Sequence, residues 1–98
     1  MSKYAFTQGL RELRIHLSQE GAGSNGARTF IRSSYAVMKK HNPQIPIMIR
    51  EAAGVRARVY ARYERGREEE RSLEGLDESQ VAHEIGGLAS GKGGDIAL

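Results

Sequence analysis

Between Leu13 and Tyr63 the spacing of apolar residues changes from two to near 3.6 and back to two, and this constrains the chain more than any single motif. Leu13, Ile15 and Leu17 alternate with Arg14, His16 and Ser18, which predicts a half-buried strand. The stretch from Glu20 to Gly26 carries three glycines and reads as a loop entering a helix, with Ser24 or Asn25 placed to accept the first free amide protons. Ala27, Phe30, Ile31, Tyr35 and Met38 recur three and four apart, so a helix is predicted over 27–40. Lys39 and Lys40 favour its negative end, and Asn42-Pro43 stops it because a residue before proline avoids the helical region. Ile45, Ile47 and Ile49 then share one face of a strand over 45–51, with Met48 apolar on the other, which predicts a more central strand covered on both sides. Two strands joined by a helix call for a parallel pair with a right-handed crossover.

A third strand is predicted over 55–63, where Val55, Ala57, Val59, Ala61 and Tyr63 alternate with Arg56, Arg58, Tyr60 and Arg62. Glu64 to Arg67, with Gly66, forms the next turn, and 68–73 returns as a short charged edge strand that discourages pairing with other chains. Asp77 caps a last helix, with Gln80 three residues on in the capping-box position and Val81, Ile85 and Leu88 as its apolar stripe. The expected fold is α/β: a β-α-β-β-β-α order giving a mixed four-stranded sheet of thioredoxin type, flanked by helices, with its last three strands antiparallel. With 98 residues there is room for one domain. It is placed at 10–90, after an N-terminal segment 1–9 and before a flexible C-terminal tail 91–98.

The chain has no cysteine, which removes disulfides, thiolate nucleophiles and Cys-x-x-Cys redox or zinc motifs. In a thioredoxin-type frame the thiolate belongs at the start of the first helix; here that loop offers Ser18 and Ser24, and serine performs no thiol–disulfide exchange. His16, His41 and His83 are not at metal-ligand spacing, and Gly21 and Gly23 lack the lysine of a phosphate loop and the acid of a dinucleotide fingerprint. No catalytic, metal or cofactor-binding residue is expected. No apolar run is long enough to span a bilayer, and no secretory signal is evident at the start.

Charge is the remaining signal. Residues 1–67 hold 13 Lys/Arg against 4 Asp/Glu, while residues 68–98 hold 2 against 8. Arg56, Arg58 and Arg62 fall on one strand face, and Arg14 and Arg50 are placed to extend it, with Tyr60 and Tyr63 interleaved. Arginine pairs bidentately with carboxylate and phosphate alike. Three readings therefore stand open: a protein docking surface, a phosphate-backbone surface, or a solvated face partly neutralised by the acidic back third.

Several strings together resemble one family: LRELRIHLSQ at 10–19, the helix with Phe30 and Ile31, HNPQIPIMIRE at 41–51, ARYERG at 61–66, DESQV, and LASGK at 88–92. It is the family of small thioredoxin-like accessory subunits of mitochondrial respiratory complex I, the NADH:ubiquinone oxidoreductase. The resemblance implies a non-catalytic, supernumerary subunit without flavin or iron–sulfur cluster, supporting assembly and stability of the peripheral matrix arm. It places the protein at the mitochondrial inner membrane, on the matrix side, with other complex I subunits as partners. A related domain occurs in mitochondrial ribosomal proteins, so contact with rRNA is the alternative, although the acidic back third speaks against nucleic acid. Arg14, His16, Phe30, Asn42, Pro43, Pro46, Arg50, Glu51, Arg62, Tyr63 and Gly66 are the family-like positions. Arg50, Glu51 and Arg62 have no local structural reason and join Arg14, Arg56, Arg58 and Tyr63 as interface candidates. Some relatives carry cysteines where this chain has Ser18 and Ala52; a dithiol role implied for those members is closed to this chain.

Overall fold

A computed structural model describes residues 9–89. The tail at 91–98 and all of the N-terminal segment except Gly9 lie outside the described residues. The elements are β1 (Leu10–Leu17), α1 (Asn25–His41), β2 (Ile47–Glu51), β3 (Arg58–Tyr63), β4 (Glu68–Ser72) and α2 (Glu78–Ala89). The sheet order is β2-β1-β3-β4, with β1 parallel to β2 and antiparallel to β3, and β3 antiparallel to β4.

The period-two face of β1 organises the core. Leu13 and Ile15 stand beside Ile47 and Ile49 on β2 and beside Ala61 and Val59 on β3. Between Leu10 and Glu12 the register with β3 shifts, so that β1 advances two residues while β3 advances one. Such a bulge resets the alternation, which brings Leu10 onto the buried face beside Tyr63 although its numbering parity is wrong for it.

Phe30 and Met38 of α1 and Val81, Ile85 and Leu88 of α2 join these strand residues in one buried cluster, with Ile31 and Tyr35 packed against it. Both helices therefore lie on the same face of the sheet, and among the described residues the other face carries no helix. The helices flank the sheet as expected, but from one side. The reason is in the strands themselves: only one face of β1 and β3 is apolar, and the opposite face presents Glu12, Arg14, His16, Arg58, Tyr60 and Arg62.

Two expectations change. β2 is an edge strand rather than a central one, and Met48 is 36% exposed on the open face. β2 and β3 run antiparallel but are not neighbours, because β1 lies between them. The six residues 52–57 that join them can reach ~20 Å when extended, ample for the ~10 Å of two strand spacings. That connector absorbs Val55 and Arg56, so β3 begins at Arg58 rather than at 55.

The helix ends are specified locally. Asp77 and Gln80 form the expected reciprocal cap: the Gln80 amide donates to Asp77 Oδ1 at 2.8 Å and the Asp77 amide to Gln80 Oε1 at 3.0 Å. Asn42 closes α1 by donating its amide and its Nδ2 to the Met38 carbonyl, at 3.0 and 2.9 Å. At the other end of α1, Ser24 occupies the cap position without capping through its side chain. Its hydroxyl accepts the Ser18 amide proton instead, at 3.0 Å.

Candidate docking surface

The loop from Ser18 to Ser24 is where a frame of this kind would place its reactive group. Here both hydroxyls are engaged in shaping the loop: Ser18 Oγ accepts the Gly21 amide proton at 3.0 Å, and Ser24 Oγ that of Ser18. Arg28 reaches back from α1 to donate to the Ser18 carbonyl at 2.6 Å and the Gly21 carbonyl at 3.0 Å, and also contacts Asn25. Arg28 lies off the apolar stripe of α1. It is a clamp, and the signal for it was one turn of helix following a glycine loop rich in free carbonyls. Among the described residues, no group of three or more His, Asp or Glu side chains is arranged to hold a metal ion.

The polar chemistry is concentrated on the open sheet face, in rungs set by strand register. One rung carries Glu12, Arg62 and Glu68; the next carries Met48, Arg14, Tyr60 and Glu70; the third carries Arg50, His16, Arg58 and Ser72. The first two rungs are largely neutralised within the chain. Arg62 Nη2 pairs with Glu12 Oε1 at 2.8 Å, and Arg14 bridges Glu12 at 3.0 Å and Glu68 at 2.9 Å while lying 5.2 Å from the centre of the Tyr60 ring. The acceptors Glu12, Glu68 and Glu70 were missed in the sequence reading because their partners are fixed by register, not by spacing along the chain.

The third rung differs. Arg58 donates to the Tyr60 hydroxyl at 3.1 Å and approaches Glu70 only to 3.6 Å. Arg50 has no carboxylate partner among the described residues. Between these two guanidinium groups sits His16, whose ring lies 5.0 Å from that of Tyr60 and whose Nε2 is closed off from solvent with no hydrogen-bond partner. Burial, then the neighbouring Arg14, Arg50 and Arg58, hold this imidazole below its ordinary pKa of 6.5. The ring is thus kept neutral and adds no countercharge.

Of the other interface candidates, Arg56 lies in the exposed connector before β3, and Glu51 stands at the end of β2 beside a shallow depression lined by Leu17, Arg28, Ile31, Arg32 and Ile49. Tyr63 does not belong with the arginines. It is 3% exposed on the helix side, and its hydroxyl donates to the Leu88 carbonyl near the end of α2. Burial, then the Glu69 carboxylate, push that phenol above its ordinary pKa. Alternation put Tyr63 on the apolar face from the outset, and that parity, rather than nearness to arginines, was the decisive signal.

The fold and its polar face define a small α/β domain of thioredoxin type with serines in the loop before its first long helix and a one-sided arginine surface. Residues 27–78 match the family model described as "Mitochondrial ribosomal protein L51 / S25 / CI-B8 domain". The chain belongs to that family, and within it is similar along nearly its whole length to subunits of one enzyme. It is 43% identical over 86 residues to the NADH-ubiquinone oxidoreductase 10.5 kDa subunit of Neurospora crassa, covering 88% of this chain and 92% of that protein. It is 43% identical to NADH dehydrogenase [ubiquinone] 1 alpha subcomplex subunit 2 of Mus musculus, covering 86% of this chain and 85% of that protein. The protein of the same name in Arabidopsis thaliana is 40% identical, covering 79% of each chain.

Proposed function

We propose that this chain is a non-catalytic accessory subunit of mitochondrial NADH:ubiquinone oxidoreductase, supporting assembly and stability of its peripheral arm on the matrix side of the inner membrane. The observation that carries the reading is the near full-length similarity to complex I subunits from a fungus, a mammal and a plant. The loop chemistry supports it: the Ser18 and Ser24 hydroxyls are spent on backbone amides. No helix among the described residues is long and apolar enough to cross a membrane, which suits attachment through other subunits. The ribosomal branch of the family supplies the second reading, contact with rRNA. Against it, Glu12, Glu68 and Glu70 sit among the arginines of the open face, where they would repel phosphate. Deleting the protein and resolving respiratory complexes on native gels tests the proposal. Loss or slowed assembly of the NADH dehydrogenase band is expected; an intact, fully active complex I without the protein would refute it.

A further inference from the structure

The uncovered end of the sheet is a more specific feature than the family assignment. Every arginine on the first two rungs has a carboxylate of this chain within 3.0 Å. On the third rung the described residues supply none for Arg50, and only a 3.6 Å approach of Glu70 to Arg58. In register, the side chains between and beyond them are an imidazole held neutral and the hydroxyl of Ser72. Arg56 adds a third guanidinium two residues before Arg58, exposed in the connector. Met48 on the adjoining rung is one of the few large apolar side chains left in contact with water. Among the described residues, cations with no carboxylate or only a distant one, an apolar side chain next to them and no covering helix form a surface complementary to carboxylates carried on a partly apolar partner. Paired arginines in such a setting bind carboxylate bidentately and are favoured at the desolvated centres of interfaces.

We propose that the Arg50–His16–Arg58 end of the open sheet face is where this chain docks onto its neighbour in the complex, by seating one or more Asp or Glu side chains of that neighbouring subunit between Arg50 and Arg58. This rests on the reading of the chain as a complex I subunit and adds which face is used and what chemistry meets it. The remainder of the face, where Glu12 and Glu68 already hold Arg14 and Arg62, is shut to an acidic partner by its own carboxylates. The partner is thereby held at one end of the sheet, in one orientation. A phosphate-bearing strand would need charge along the whole face, and the two neutralised rungs interrupt it.

The test is made on the assembled complex. A deletion strain is complemented with the full chain as wild type, Arg50→Glu, Arg50→Lys, or Lys40→Glu, an exposed position on α1 away from the sheet. The fraction of chain migrating with complex I is then measured. Charge reversal at Arg50 is expected to lower that fraction by at least about tenfold, the scale of losing a close interfacial charge pair. Lys40→Glu leaves it unchanged. The purified Arg50→Glu chain keeps the thermal midpoint of wild type, because Arg50 has no carboxylate partner to lose among the described residues. Arg50→Lys retains most incorporation and places an amine at the contact. A carbodiimide then condenses that amine with a partner carboxylate, forming an amide, and mass spectrometry should find position 50 joined to an Asp or Glu of another complex I subunit. Incorporation of Arg50→Glu at the wild-type level, or a position-50 cross-link only to this chain's own acids, overturns the docking surface while leaving the subunit assignment standing. Migration of the wild-type chain with ribosomal particles instead of complex I overturns both.

Discussion

His16 shows how one residue can belong to a surface rather than to a core or a catalytic site. Its Nε2 is closed off and unbonded, and its pKa is lowered by burial and by Arg14, Arg50 and Arg58. Tyr60 and, through Arg58, Glu70 complete the groups facing it. The sign of the linkage follows. As pH falls below the unfolded value near 6.5, the unfolded chain takes up the proton before the folded one, so folding stability drops from that pH downward. Urea unfolding of the purified chain at pH 7.5 and 5.5 should show a smaller loss for His16→Phe than for wild type; equal losses would mean that the imidazole is not suppressed. At pH 7.5 the same substitution should be close to neutral, since it removes an unsatisfied polar atom. Tyr63 is the opposite case. Tyr63→Phe leaves the Leu88 carbonyl without its donor and should cost about 1–2 kcal/mol in equilibrium unfolding. An unchanged stability would indicate that this hydroxyl does not tie α2 to β3.

At the scale of elements, α1 starts in close backbone contact with the segment that leads into α2. A Cβ added to Gly26 would lie 1.9 Å from the Leu76 carbonyl oxygen, a backbone atom with nowhere to go. Gly26→Ala should therefore destabilise at or beyond the upper end of the ~1–3 kcal/mol typical of overpacking, read as a lowered urea midpoint. The β3–β4 turn tests in the other direction. Arg65 adopts a left-handed conformation at φ 63° without being glycine. Relief of that strain makes Arg65→Gly stabilising by about 0.5–1 kcal/mol, and a destabilised variant would contradict it. The type and approximate place of every helix and strand were legible, because each carried a clear period or a cap such as Asp77 with Gln80. Sheet order was not. Short turns suggested adjacent antiparallel strands, yet the connector 52–57 is long enough to step over β1. The polar face was legible as a set of arginines. Which of them are neutralised depends on register across strands, which no spacing along the chain marks.

For the whole molecule, the split between a basic front and an acidic back resolves into geometry. β4 brings Glu68 and Glu70 beside the arginines of β1 and β3 and quenches most of one sheet face. What is left is a body with charge of one sign concentrated at one end, a sheet face without a helix among the described residues, and a thioredoxin-type frame whose loop hydroxyls are structural. Those properties suit a subunit that is held in place by others. The most direct measurement is to tag the chain in mitochondria, solubilise gently, and follow it on native gels beside the NADH dehydrogenase activity band, with and without its gene. The account predicts co-migration with complex I and reduced assembly of its peripheral arm when the chain is absent. Co-migration with ribosomal particles, or a complex I that assembles and turns over normally without the chain, would contradict it.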